Sequence, residues 1–110
     1  MSIAWKEMVK AATLTASPVS RYTCPGSTAA TIQQATANNP TGAPVTINLY
    51  KVPSGLAADA TTKICARVVP AGAVVMLNEA INHKLEGGTQ LFADGLALTL
   101  NISGVEYVAE

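Results

Sequence analysis

One imidazole, two thiols and seven carboxylates are the side chains in this sequence with reactive chemistry to offer. His83 is the sole histidine, so any Ser-His or Cys-His nucleophilic pair must use it and must also recruit a group to orient its ring. It stands between Asn82 and Lys84 in "NEAINHKLEGG", a stretch with helix punctuation, where a solvated histidine is the expectation. A hydrolase built on Glu79, His83 or Glu106 would have to gather them from separate segments, and a domain this small has little material for a deep cleft. Two carboxylates for glycoside hydrolysis can meet from anywhere in a chain, yet no spacing among Asp59, Glu79, Glu86, Asp94 and Glu106 favours a pair. Cys24 and Cys65 are too few for zinc unless His83 joins them, and no C-x-x-C accompanies them. Gly87-Gly88 follows a helix pattern rather than a strand, so it reads as a helix stop and not a phosphate cradle. The expectation is no enzyme, no cofactor and no metal.

The composition points to association instead. Of 110 residues, 49% are hydrophobic and 13% charged, about half the usual charged fraction of a soluble domain. A chain with so little charge cannot cover its surface with it, and shared surface in a homo-oligomer, a trimer or a ring, is the favoured explanation. The seven basic residues balance seven acidic ones and form no run, so the electrostatic footprint of a nucleic-acid binder is missing. No apolar stretch reaches the ~18 residues of a membrane span. Lys6, Glu7 and Lys10 interrupt what would be the core of a signal peptide, which leads to the expectation of a protein made and kept in the cytoplasm. In that compartment Cys24 and Cys65 are reduced, buried thiols; a disulfide between them is the alternative in an oxidising one.

The elements that must position these residues are short. Turn signals recur at Ser17-Pro18, Pro25-Gly26, Asn38 to Gly42, Pro53 to Gly55, Pro70 to Gly72, Glu86 to Gly88, Asp94-Gly95 and Ser103-Gly104. Apolar runs between them make the fold class all-β, an antiparallel β-sandwich of jelly-roll or Ig-like type. "PVTINLYKVP" alternates Val45, Ile47 and Leu49 against Thr46, Asn48 and Tyr50, the pattern of a half-buried strand. "AATIQQATA" is polar enough for an outer or edge strand, and the loose "STAATIQQATANNPTGAP" for a mobile loop. At most one short helix is expected, near 78–86, with Asn78 as N-cap and Gly87 past its end. Asp94-Gly95 suits a hairpin turn. In "LALTLNISGVEY" the apolar phase jumps between Ile102 and Val105, which predicts a β-bulge at Ser103-Gly104. Residues 1–10 read as an N-terminal arm and 11–110 as one sandwich domain.

Four residues are candidates for contact between subunits: Trp5, Tyr50, Val105 and Tyr107. Trp5 is the one tryptophan, a type over-represented as an interface anchor, and a buried intrachain anchor is its other reading. Tyr50 and Tyr107 pose the same choice between closing the core edge and holding a neighbour. Val105 would be carried outward by the bulge.

"SPVSRYTCPGSTAATIQQATANNPTGAPVTINLYKVPSG", "VVPAGAVVML", "LEGGTQLFADG" and "NISGVEY" together resemble small tailed-bacteriophage virion proteins, over about residues 12–108. The resemblance implies a non-enzymatic β-sandwich structural subunit in a tail, neck, head-tail connector or capsid-decoration position, located in the virion and touching other virion proteins as well as itself. Gly88 and Thr89 depart from that pattern where an acidic residue is common. A ligand- or receptor-binding sandwich that recognises carbohydrate or a host surface is the alternative, since loops at a sandwich end are natural ligand sites.

Overall fold

The structure, a computed structural model, describes residues 2–108. Nine strands are laid down in order: β1 (Ser2–Thr13), β2 (Val19–Thr23), β3 (Thr28–Asn38), β4 (Val45–Val52), β5 (Lys63–Val69), β6 (Val74–Met76), β7 (Lys84–Leu85), β8 (Gln90–Asp94) and β9 (Thr99–Val108). They form two antiparallel sheets, ordered β1-β9-β3-β6 and β2-β8-β4-β5, with β7 following β6 along the same side of β3. Nearly every connection crosses from one sheet to the other, and the first and last strands lie side by side. This is the double Greek key of a jelly roll.

The alternation in β4 does what its pattern requires: Ile47 and Leu49 are buried between the sheets. They meet Ile32, Val69, Leu77, Leu85, Leu91, Leu98, Leu100 and Ile102 in one core. β3, expected at an edge, runs instead between β9 and the β6–β7 side. Its small inward residues are not on the surface: Ala30, Ala35 and Ala37 are fully enclosed.

Three local expectations are corrected. Residues 78–86 form a single 3-10 turn over Asn78–Ala80 and then strand, not two turns of α-helix. The backbone there is claimed by β3: Asn82 N donates to the Ile32 carbonyl at 2.7 Å, and Ile32 N donates to the His83 carbonyl at 3.1 Å. A two-turn helix gains too few internal bonds to compete with a ladder already in place. Asp94-Gly95 is not a hairpin turn either, because β8 and β9 belong to different sheets. Finally, the expected boundary between an arm (1–10) and the domain falls inside β1, which pairs with β9 from Ser2 to Thr13. Met1 lies outside the described residues.

The segment after β3 is also tied down. Asn39 is fully buried. Its Nδ2 donates to the carbonyls of Ala43 (2.8 Å) and Val69 (2.9 Å), and its Oδ1 accepts from the backbone and hydroxyl of Thr41 at 2.9 and 2.7 Å. One side chain thus holds the Pro40 to Pro44 turn against the end of β5.

Candidate functional site

The phase jump in β9 has an answer different from the expected one. β9 itself gains no residue at Ser103-Gly104. The extra residues lie in its neighbours, Met8 in β1 and Gln33 in β3, both at the level of Ser103. Leu100, Ile102, Gly104 and Glu106 keep facing the other sheet, opposite Ile32 and Ala30 on β3, while Val105 and Tyr107 face outward. The apolar pattern changes phase because the inward positions pass to a glycine and a carboxylate. Gly104 is required by space: a Cβ there would lie 2.1 Å from the Thr31 carbonyl oxygen and 2.8 Å from Met8 Cε.

The outward row brings three of the four candidate contact residues together. Across the sheet Trp5 stands opposite Val105, which stands opposite Thr31; one row along, Ile3 stands opposite Tyr107. Trp5 is 79% exposed and Ile3 64%, Tyr107 is half-buried and Val105 is buried. An indole left this far in solvent contributes little to the core of its own chain, which removes the intrachain-anchor reading of Trp5. Two open depressions of about 280 and 290 Å³ flank Ser103 on this sheet, lined in part by Trp5, Glu7, Gln33 and Gln34. Ile3 was missed in the sequence reading. The alternation Ile3, Trp5 opposite Tyr107, Val105 was the signal that could have found it, once β1 and β9 were known to pair.

Tyr50 lies elsewhere and does something else. It is only 7% exposed, its hydroxyl donates to Asp94 Oδ2 at 2.7 Å, and Asn48 Nδ2 donates to the other oxygen at 2.9 Å. Its candidacy as an intersubunit contact is therefore corrected: it is an intrachain residue between β4 and β8. Burial, followed by the hydrogen bond to the Asp94 carboxylate, pushes its phenol up to about 12. Tyr22, whose hydroxyl donates to buried Glu106 at 2.5 Å, is shifted further in the same direction, again chiefly by burial. A phenol whose folded pKa is raised adds stability in full below its unfolded value near 10, and that contribution disappears as pH climbs from 10 toward 12. We expect urea midpoints to fall between pH 9 and pH 11.5 by the equivalent of roughly 2 kcal/mol. The fall should shrink in Tyr50→Phe; an equally steep loss in that variant would assign the effect to other groups.

The reactive residues do not converge. Glu79 pairs with Arg67 at 3.4 Å and lies 3.8 Å from Cys65 Sγ. Glu106 is held by Tyr22, and His83 is half-buried beside β3 with its pKa lowered by burial and by the Lys51 ammonium. Among the described residues no three His, Cys, Asp or Glu side chains are grouped to hold a metal. Cys24 and Cys65 are both free thiols, 1% and 3% exposed. Burial raises both, and the Glu79 carboxylate helps push Cys65 to about 11.

No family model matches the chain, and no curated protein matches it. Solved structures with this fold include a subunit described in work on Bacillus endospore appendages as a family of disulfide-linked pili. The likeness covers 99% of this chain and 90% of that one, with a TM-score of 0.56 and 16% identity. At that identity the likeness is one of fold, and it agrees with the β-sandwich expected from the sequence. It overturns the expectation of a phage virion protein, with its tail, connector or capsid position, because the matching structure is a bacterial pilus. The motifs behind that expectation were turn and strand grammar that any sandwich can use.

Proposed function

We propose that this chain is a non-catalytic structural subunit that self-associates into a homopolymer, of the kind from which bacterial appendages are built. The observation that carries the reading is the jelly roll shared with a pilus subunit over nearly the full length of both chains. The exposed strip of Ile3 and Trp5 supports it, since an isolated indole in water is costly and a neighbouring copy would cover it. So does the sparse charge, because interface cores are depleted of charge.

The mode of linkage differs from the one stated for the neighbour. A disulfide between subunits needs a thiol that can reach a second chain, and both thiols here are enclosed in the core. Association of the described residues is non-covalent in this reading. Light scattering and negative-stain electron microscopy on the purified protein over a wide concentration range test it. Oligomers or filaments that persist with excess reductant are the expected result. A monodisperse monomer at every concentration would remove the proposal, and assemblies dissolved by reductant would remove its non-covalent part.

A further inference from the structure

We propose that the free edge of β1 over Ile3 to Glu7 is the surface through which two copies of this chain pair, antiparallel and strand against strand, about a two-fold axis at Ala4. This rests on the self-associating reading above and names one contact within it; a two-fold contact closes a dimer, so extension into a polymer takes a second surface.

An edge strand displays unpaired backbone N–H and C=O groups that template addition of another strand, and folded proteins blunt such edges with bulges, charges, short lengths or covering side chains. β2 carries a bulge at Arg21. β5 carries one at Ile64 and places Lys63 and Arg67 along its length. β6 has three residues and β7 two, and cationic side chains already occupy backbone carbonyls on both: Arg67 bonds the Met76 oxygen at 3.0 Å and Lys51 the Lys84 oxygen at 3.1 Å. The second half of β1 is blunted as well. Register shifts fall between Glu7 and Val9 and between Val9 and Ala12, and Ala11 has φ of +48° with its N–H held by Asn101 Oδ1. Arg21 takes the Thr13 carbonyl at 3.2 Å.

Ile3 to Glu7 is the least guarded stretch: its charges, Lys6 and Glu7, stand together at one end and leave Ile3 to Trp5 neutral. It pairs one-to-one with Tyr107 to Ser103 on its inner side, contains no proline or bulge, and among the described residues no side chain bonds to its backbone. Head-to-tail addition of this stretch onto any other described edge meets a bulge or an occupied carbonyl. The open edge is left to pair with its own copy.

Register follows from the side chains. Across a two-fold axis normal to the sheet, residues directly opposite share a face. Centring on Ala4 sets Ile3 of each copy against Trp5 of the other, an aromatic and β-branched pair of the favoured cross-strand type. Centring on Trp5 would oppose Ile3 to Glu7, and centring on Lys6 would oppose two ammonium groups. The Ala4 register merges the two outward strips of Ile3, Trp5, Val105 and Tyr107 into one apolar band covering both indoles.

The test uses the full chain as the wild type and in three variants. In the double variant Ile3→Lys, Trp5→Lys, both changed positions are solvent-exposed, so far-UV circular dichroism should match the wild type. Self-association by light scattering should weaken at least about tenfold, since two cross-strand pairs are lost and like charges oppose. Ala4→Cys should give a disulfide-linked dimer with oxidised glutathione, and Glu7→Cys should not. A wild type that assembles, a double variant that assembles equally well and no Ala4→Cys dimer would overturn the β1 contact while leaving the subunit reading intact. A wild type that stays monomeric would overturn both.

Discussion

Replacing Gly104 with alanine is expected to cost about 3 kcal/mol of stability, at the upper end of what overpacking does. Melting should then fall by about 15 °C or more for a domain near 100 residues. The added methyl would sit 2.1 Å from the Thr31 carbonyl oxygen, and that oxygen belongs to a central strand with no freedom to retreat. β9 lies between β1 and β3 at this level, each bulged around it, so relief on one side compresses the other. Gly42, where an added Cβ meets nothing within 4 Å, supplies the control: Gly42→Ala should change the melting temperature by no more than a few degrees. A Gly104→Ala protein melting within about 5 °C of wild type would show that the three strands separate freely and that their pairing is looser than described. Because Ile3 and Trp5 project from the strand beside Gly104, the same substitution is expected to impair assembly.

Asn39→Ala is the second large effect, about 2–3 kcal/mol, because the change strips a fully buried side chain of its bonds and leaves the enclosed Val69 carbonyl without its donor. The carbonyls of Ala43 and Val69 lose their donor, and the Thr41 backbone and hydroxyl lose their acceptor. Asn39→Asp is the sharper probe, since it keeps the acceptor toward Thr41 but aims a buried carboxylate at two carbonyl oxygens. Chemical denaturation should rank wild type above both variants. If Asn39→Ala unfolds at the wild-type midpoint, water must enter the turn and the asparagine is not what holds it.

The division between sequence and structure is clearest in β9. Alternation through Leu98, Leu100 and Ile102 was enough to identify a strand, and the same period in Val45, Ile47 and Leu49, with turn residues between the runs, was enough for an antiparallel sandwich. Alternation reports which side chains avoid water along one strand, so it carries element type and fold class. It does not carry partners. β3 resembled an edge strand because alanine in a tightly enclosed position and alanine on a surface are the same letter. The helix pattern around Ile81 and Leu85 was local, whereas β3 offered those backbone groups a ladder from fifty residues away in sequence. Nothing in the spacing of Glu106 and Asp94 linked them to Tyr22 and Tyr50, which the fold sets against them.

The proposed association surface divides in the same way. Low charge, a single tryptophan and enclosed cysteines were legible from composition and residue type, and they already pointed to a shared surface without chemistry. Which residues compose that surface was decided only when β9 docked between β1 and β3. That docking is a long-range pairing between the two ends of the chain, and it turned Trp5, Val105, Tyr107 and the unmarked Ile3 into one strip. It also left Ile3 to Glu7 as the least guarded edge among those described, while the pairing of β4 with β8 placed Tyr50 on the other sheet. Edges and faces are properties of strand order, which depends on contacts between residues far apart in the chain and so leaves no local trace in their spacing.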